Sequence, residues 1–314
     1  DALQVAMMGL GLKPGDEVIT ADFTFAATVE VIALLGLTPV LVDVLPDTFN
    51  IDPDAIEKAI TPNTKAIVPV HLFGQVADMD RIMDIAQKHN LFVIEDNAQG
   101  IGATHTDPAG TKVKTGGIGH VGSTSFFPSK NLGCYGDGGA IFTNDDDLAH
   151  TIRGVVNHGM YKRYHHDVVG VNSRLDSLQA VVLNEKLKLL DFYNERRKWA
   201  AIRYSQLLQD HPKIETPVTS GDCDSHVYHQ YTLKIVGADR DALVQHLQQN
   251  DIPCGVYYPI PLHLQKAYVD TRYKEADFTV TNQLIDEVVS LPMHSELDED
   301  QIQFICKTIL AFLD

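Results

Sequence analysis

Residues 64–96 read TKAIVPVHLFGQVADMDRIMDIAQKHNLFVIED, and this stretch decides the fold class. It begins and ends with apolar runs, 64–70 and 91–96, whose length suits short strands. Between them, residues 77–90 carry apolar side chains at helical spacing, namely Met79, Ile82, Met83 and Ala86. Near-continuous apolar strands joined through a helix are typical of parallel sheets that helices cover on both faces. We therefore predict an α/β fold with a mainly parallel central sheet.

The same alternation of strands and helices extends on both sides of this stretch. Residues 52–60 predict a helix with Asp52 as its N-cap and Pro53 in its first turn. At the start of the chain, apolar residues on one helical face predict a helix that stops at Gly11. The other elements predicted here are strands at 16–21, 38–44 and 138–145, a helix at 25–37, and a helix that begins at Asp147.

The pattern changes after Arg174. From there to Gln209 the chain has no glycine or proline and keeps helical periodicity, which predicts one helix, or two in series, between two domains. Beyond it we predict a strand at 229–235, a helix at 239–250, an extended segment at 253–261 and a helix at 298–314. The chain is therefore divided into a large domain (1–175), a connecting helix (176–209) and a small α+β domain (210–314).

Composition excludes several classes of partner. The 314-residue chain has a formal net charge of −17, so its surface repels nucleic acids and acidic membranes, and we expect neither as a partner. The four cysteines form no CxxC pair, which predicts reduced thiols and a cytoplasmic protein. No apolar run approaches the roughly 20 residues that span a membrane. We predict no metal site, because His165–His166 has no third ligand at suitable spacing.

The stretch STSFFPSKNLGCYGDGGA at 123–140 contains a single lysine whose role is in question. Lys130 is either a solvated turn residue or an amine that forms a Schiff base. Asp96 ends the apolar run at 91–96, where parallel strands present ligand-binding residues, although it also suits a helix cap or a turn. A pyridine cofactor needs such an amine, and it needs an acid beside its ring nitrogen. Phosphate donors are available just before the lysine, at Ser123, Thr124 and Ser125.

A neighbouring segment, GIGHVG at 117–122, matches the glycine pattern of dinucleotide-binding loops. In such a loop the glycines follow a strand and open a helix. Here they follow the polar segment THTDPAGTKVKTG and precede STSFF, which reads as a strand. The interpretation as a nicotinamide-dependent dehydrogenase is therefore rejected.

Several motifs, in order along essentially the whole chain, resemble the DegT/DnrJ/EryC1/StrS aminotransferases. These are pyridoxal-phosphate enzymes of fold type I that aminate keto sugars carried on nucleotides. The resemblance implies pyridoxal 5′-phosphate as the cofactor, with pyridoxamine phosphate as its intermediate form, and a homodimer with two shared active sites. The motifs that carry it are GDEVITADFTFAATVEVI, PVHLFGQVADMD, VIEDNAQGIGA, SFFPSKNLGCYGDGGA, GVNSRLDSLQA and VYYPIPLHLQ.

The resemblance implies a role toward the cofactor for each matched residue. Lys130 would form the Schiff base and move protons, and Asp96 would pair with the pyridine nitrogen. Gln99 would contact the ring hydroxyl, and Ser125 would bind the phosphate. Phe25 would lie against the ring face, with a core aromatic as the alternative.

Other residues are implied at the substrate or at the subunit boundary. Asn172 would reach the phosphate in the partner subunit. His263 would lie near the sugar, with a capping or core histidine as the alternative. Arg174 and Arg163 are candidates for the substrate diphosphate or the donor carboxylate, although a surface charge is the stronger interpretation of Arg163. We interpret His71 as a structural turn residue rather than a catalyst.

The chain begins at Asp1 without an initiator methionine, and we expect that earlier residues are missing. In the family, a pair of residues just before this point supplies phosphate contacts at a helix N-terminus. Of that helix N-terminus only Asp1 and Ala2 remain in this chain, and both are predicted to contribute to the phosphate site.

The resemblance implies a two-stage transamination, with glutamate as the amino donor and a nucleotide-linked keto sugar as the acceptor. Two alternatives stay open. One is a sugar dehydratase that uses the same cofactor, which Lys130 argues against because relatives of that type carry histidine at this position. The other is a non-catalytic or regulatory homologue.

Overall fold

Most strands of the central sheet form at positions where the sequence has short apolar runs. The computed structural model describes residues 1–221 and 224–314. Besides the predicted strands, two short hairpins occur that the sequence did not indicate, the pairs β5–β6 and β9–β10 in the numbering that follows. In chain order the strands of the first part are β1 (Glu17–Ala21), β2 (Thr38–Val42), β3 (Thr64–Val68), β4 (Phe92–Asp96), β5 (Thr104–Thr106), β6 (Lys112–Lys114), β7 (Val121–Ser125), β8 (Gly139–Phe142), β9 (Met160–Lys162) and β10 (His165–His166).

Six of these strands form the central sheet, in the order β2-β1-β3-β4-β7-β8. Neighbours from β2 to β7 are parallel, which confirms the predicted mainly parallel sheet. The exception is β8, which pairs antiparallel with β7 so that Ser125 lies opposite Gly139. Because β8 runs back, the loop at 126–138 starts and finishes at the sheet edge where the parallel strands end.

The helices of this part lie close to their predicted positions. Asp52 caps α3 as expected, since its side chain accepts the backbone N–H of Asp54 at 2.9 Å. The helix predicted at 25–37 is shorter at both ends, and Gly36 beyond it adopts a φ of +71°, which ordinary residues rarely do. The helices are α1 (Ala2–Gly9), α2 (Ala27–Leu34), α3 (Pro53–Ala59), α4 (Met79–His89) and α5 (Asp146–Val155).

Both faces of the sheet are buried, which explains why its strands are apolar at consecutive positions. Alternate residues of one strand belong to different apolar clusters. On β3, Ile67 belongs to the cluster that also contains Ile19 and Val93. Its neighbours Ala66 and Val68 belong to the cluster on the opposite face. A strand with this arrangement tolerates a polar residue only near its ends.

Truncation of Ile67 to alanine is expected to lower the free energy of unfolding by about 2–5 kcal/mol, because it opens a cavity in the middle of the sheet. Ile67 is fully buried, whereas Lys65 on the same strand is exposed. The matched control Lys65→Ala should stay within about 0.5 kcal/mol of the parent protein. Urea denaturation followed by circular dichroism measures both. Equal losses in the two variants would contradict the burial of Ile67 and the exposure of Lys65.

The segment predicted as one helix or two in series is two helices, interrupted near Leu189. Beyond it lies a second, three-stranded sheet with antiparallel pairs and its own apolar cluster. This arrangement supports the small α+β domain, and the exact domain boundaries stay a prediction. The sequence did not indicate β11, α9 or β13. The elements are α6 (Ser177–Leu187), α7 (Leu190–Leu208), β11 (Ile214–Glu215), β12 (Tyr231–Ile235), α8 (Arg240–Gln249), α9 (Thr279–Glu287), β13 (Val288–Leu291) and α10 (Glu299–Leu313).

Three of the cysteines, Cys134, Cys254 and Cys306, are free thiols, and Cys223 lies outside the described residues. Among the residues that the structure describes, no helix is both long and apolar enough to cross a membrane. The same residues include no group of three or more His, Cys, Asp or Glu side chains that could hold a metal ion.

Candidate active site

Asp96 marks the carboxyl end of the central sheet. It is the last residue of β4, and its carboxylate is buried. Two donors orient that carboxylate. The hydroxyl of Thr28, in the first turn of α2, donates to Oδ2 at 2.7 Å, and the backbone N–H of Ala98 donates to Oδ1 at 3.1 Å. A fixed, buried acid with few donors is suited to pair with a cationic ligand atom.

Lys130 lies in the loop between β7 and β8, at the same sheet edge as Asp96. The side chain is half-buried, and its backbone N–H donates to the carbonyl of Phe127 at 2.9 Å within a turn. Burial lowers the pKa of the Lys130 ammonium, and the charge of Asp96 partly opposes that shift. A lowered pKa enlarges the fraction of neutral amine, which is the nucleophilic form. Partial burial and the lowered pKa favour the Schiff-base interpretation of Lys130 over a solvated turn lysine, and this role stays a prediction.

A polar clamp holds the loop next to Lys130, and sequence reasoning missed it. The Asn131 amide donates to Oδ1 of Asn194 in α7 at 2.8 Å and to the carbonyl of Val227 at 3.2 Å. Its oxygen therefore accepts from His229 Nδ1, at 3.3 Å. Burial lowers the pKa of His229 well below its ordinary value, and the charge of Lys130 adds to that effect. The imidazole is consequently neutral and acts here as a donor.

Gln99 is held at both ends of its amide. Its oxygen accepts the backbone N–H of Phe73 at 2.6 Å, and its nitrogen donates to the phenol of Tyr258 at 3.1 Å. One N–H of the Gln99 amide remains for a ligand. Burial raises the pKa of Tyr258, so the phenol stays protonated. Sequence reasoning did not single out Tyr258, although it lies within the quoted motif VYYPIPLHLQ.

Phe25 is exposed over 57% of its surface, so it is not a core aromatic. Its ring centroid lies 6.1 Å from that of Tyr258, at an interplanar angle of 41°. An aromatic face left open beside buried polar groups is suited to stack on a planar ligand.

The predicted phosphate residues lie where β7, β8 and α1 meet. Ser125 ends β7 opposite Gly139, and its hydroxyl accepts the backbone N–H of Phe127 at 3.2 Å. A side chain at Gly139 would come within 3.5 Å of the Cβ of Ala2, so the first turn of α1 adjoins Ser125. The carboxylate of Asp1 accepts the hydroxyl of Ser173 at 2.8 Å. The phosphate contacts themselves stay a prediction.

Three residues predicted for the substrate or the partner subunit lie in the segment between α5 and α6. Asn172 is exposed and forms a β-bridge with Asn157. Arg174, also exposed, donates to Oδ1 of Asn157 at 2.8 Å. Arg163 lies at the tip of the β9–β10 hairpin, with its guanidinium 4.9 Å from the ring centroid of Tyr164. None of these contacts involves Lys130, and the roles of the three residues stay predictions.

His263 occupies a buried setting rather than an open one. Its Nδ1 lies 2.7 Å from Oδ2 of Asp22, and its ring stacks on Phe278 with centroids 4.3 Å apart. Burial raises the pKa of Asp22 to about 6, against the opposing effect of the hydrogen bond to His263. This setting matches the alternative of a core histidine, and the sugar contact stays a prediction.

The glycine segment that mimics a dinucleotide-binding loop binds a carboxylate of the protein itself. Backbone N–H groups of Gly116, Ile118 and Gly119 each donate to the carboxylate of Glu95 at 2.7 Å. Gly116 has a φ of +89°, and a side chain at Gly122 would meet its backbone at 2.3 Å, so both positions require glycine. The glycines thus serve close backbone packing around Glu95.

Several known proteins are similar to this chain in sequence or in fold. The DegT/DnrJ/EryC1/StrS aminotransferase family matches residues 1–310. A UDP-2-acetamido-2-deoxy-3-oxo-D-glucuronate aminotransferase of Pseudomonas aeruginosa is 48% identical, covering 98% of this chain and 83% of its own. A pleiotropic regulatory protein of Geobacillus stearothermophilus is 46% identical, covering 99% and 82%. The structure of NtdA from Bacillus subtilis, with pyridoxamine phosphate (PMP) bound, superposes with a TM-score of 0.90 at 34% identity, covering 99% and 71%.

Proposed function

The chain belongs to the DegT/DnrJ/EryC1/StrS aminotransferase family, and from that premise we propose that it transfers an amino group to a keto sugar carried on a nucleotide. The cofactor is pyridoxal 5′-phosphate, and glutamate is the proposed amino donor. The observation that carries the proposal is the half-buried Lys130, with a lowered pKa, beside the buried carboxylate of Asp96. The Pseudomonas aeruginosa relative, whose name specifies a 3-oxo sugar on UDP, supports this class of acceptor.

The residues present fit the cofactor. Asp96 offers a carboxylate for the ring nitrogen, and Gln99 keeps one amide N–H for the ring hydroxyl. Phe25 presents an open aromatic face for the ring. Ser125 and the first turn of α1 would hold the phosphate. Lys130 supplies the amine that would attach to the aldehyde carbon.

The mechanism assigns each proton to a named group of this chain. Pyridoxal phosphate, when bound, supplies an electron sink for the carbanion formed at the donor Cα. Lys130 Nζ would move the proton from the donor Cα to the cofactor carbon, and in amination of the sugar it would move a proton from that carbon to the sugar carbon. Burial favours the neutral amine that this step needs. Asp96 would keep the ring nitrogen protonated.

A homodimer with shared active sites is part of the proposal. Exposed apolar side chains lie in the loop at 126–138 and on α6, as is usual for surfaces that a partner covers. The Tyr135 backbone N–H donates to Gln179 in α6 at 2.8 Å, so the loop and α6 form one surface. Asn172 would enter the partner's site from this side. These exposed apolar residues are Phe127 and Tyr135 in the loop and Leu178 and Val181 on α6.

The proposal also covers the cellular location of the enzyme and its partners. We place it in the cytoplasm, because Cys134, Cys254 and Cys306 are free thiols. With a net charge of −17 the protein has no nucleic acid as a partner. Anionic substrates therefore need local cations, for which Arg174 and Arg163 are the candidates.

One specific observation favours a second function. The Geobacillus stearothermophilus relative is named as a regulatory protein, which keeps a regulatory role under consideration. A regulator that merely binds the cofactor would not consume glutamate. The dehydratase alternative is weaker, because the chain carries lysine at position 130, where the resemblance implies histidine for dehydratases.

The visible absorption spectrum of the purified protein tests the proposal. With pyridoxal phosphate we expect a yellow band from the cofactor attached to Lys130. Glutamate should bleach this band, whereas succinate, which has no amino group, should not. A UDP-linked 3-keto sugar should then restore it, and mass spectrometry should detect the amino sugar. A band that survives glutamate would support the regulatory role, and absence of any band would refute the assignment of Lys130.

A further inference from the structure

We propose that Glu95 and His71 are positioning residues that hold Asp96 in the orientation it needs to face the cofactor ring nitrogen. The inference rests on the proposed function, because it concerns the residue that would bind that nitrogen. Neither Glu95 nor His71 is expected to touch the cofactor. Both act through the backbone of Asp96.

The first observation is the alternation of side chains at the end of β4. Adjacent residues of a strand point to opposite faces, so Glu95 points away from the side on which Asp96 meets Thr28. On that opposite side its carboxylate is fully buried and accepts four hydrogen bonds. Three come from the glycine segment and one from His71. A carboxylate with so many donors has a single orientation.

The second observation is that His71 forms hydrogen bonds with both Glu95 and Asp96. Its Nδ1 accepts the backbone N–H of Ala77 at 3.2 Å, so Nε2 must carry the proton that it donates to Glu95 at 2.9 Å. The backbone N–H of His71 donates to the carbonyl of Asp96 at 3.1 Å. One residue therefore ties the Glu95 side chain to the Asp96 backbone.

The third observation concerns the charge on Glu95. Burial alone would raise its pKa, but the hydrogen bonds from His71 and from the backbone of Gly119 and Gly116 lower it below the ordinary value. Glu95 is thus an anion that needs all of its donors. Loss of its charge loosens the glycine segment and the strand end together, and Asp96 shares a rigid peptide plane with it. A misplacement of about 1 Å at a reacting group can lower a rate by about 100-fold.

The experiment compares Glu95→Gln with the parent enzyme, using the nitrogen-15 resonance of ring-labelled pyridoxal phosphate in the holoenzyme. We expect the resonance to move toward that of an unprotonated pyridine, while the cofactor stays bound. In single-turnover reactions with glutamate, the rate should fall by about 10- to 100-fold. The exposed Glu57→Gln is the matched control and should leave both quantities unchanged.

A double-mutant comparison separates positioning from general support of the fold. In an Asp96→Asn background, Glu95→Gln should have no further effect on the single-turnover rate, because the residue through which it acts is already altered. Additive losses would overturn the proposal. So would a Glu95→Gln enzyme with a lower melting temperature but an unchanged nitrogen resonance and rate.

A second pair of variants covers the case in which Glu95→Gln fails to fold. His71→Gln keeps a donor for Glu95, whereas His71→Leu removes it, so only the leucine variant should shift the nitrogen resonance. Equal shifts would overturn the proposal. Failure of the proposed function gives a different result, because the parent enzyme would then show no protonated ring nitrogen and no reaction with glutamate.

Discussion

Replacement of Lys130 by alanine is expected to lower the rate of transamination by at least about 10⁴-fold. The variant lacks both the amine that attaches to the cofactor and the base that moves the Cα proton. Release of 2-oxoglutarate from glutamate, followed with a coupled assay, measures the loss. The yellow band of the attached cofactor should also disappear.

Two comparisons make this result specific to Lys130. Lys307→Ala removes an exposed lysine from α10 and should leave turnover unchanged. Lys130→Arg keeps a cation beside Asp96 but supplies no neutral amine, so it should be as inactive as the alanine variant. Appreciable residual transamination by either Lys130 variant would refute the catalytic assignment.

Asn172→Ala is expected to reduce turnover by roughly 10- to 100-fold, in line with the loss of a hydrogen bond that positions the cofactor. The stronger result concerns mixtures. If Asn172 acts in the partner's site, dimers formed from Lys130→Ala and Asn172→Ala subunits carry one site with both residues intact. Random exchange should therefore restore about a quarter of the parent activity. Co-refolded subunits assayed at several mixing ratios measure this recovery.

The matched control for complementation mixes Lys130→Ala with Asp96→Asn subunits. Both residues belong to the same chain's site, so no mixed dimer has an intact site and activity should stay at the level of the variants alone. Recovery in this control would contradict the assignment of Lys130 and Asp96 to one site. No recovery with Asn172→Ala would show that Asn172 serves its own chain.

The central sheet could be predicted because its signals are local. The runs at 64–70 and 91–96 are apolar at consecutive positions, which both buried faces require. The helix between them begins at a cap, since Asp78 accepts the N–H of Arg81 at 3.3 Å. The direction of β8 and the existence of β13 were not predicted. Both depend on pairing with strands elsewhere in the chain, and the residues of β8 and β13 alone do not indicate that pairing.

Only those residues of the candidate site could be predicted whose own functional groups suit a pyridine cofactor. Lys130, Asp96 and Gln99 have functional groups that a pyridine cofactor needs, and their motifs identify them. The groups that hold them come from distant parts of the chain. Tyr258 lies 159 positions from Gln99, and His229 lies 98 positions from Asn131. No spacing rule links residues so far apart, so only the fold reveals these contacts.

The order of the elements along the chain also bears on how the protein is made. The central sheet is complete at Phe142, the last residue of β8, and by then Lys130 and Asp96 have been synthesised. The clamp and the phenol that hold the site follow much later, at His229 and Tyr258. Because N-terminal parts leave the ribosome first, a nascent chain can form its sheet before it can form its site. The contacts that hold Asn131 and Gln99 can therefore form only after the C-terminal residues have been made.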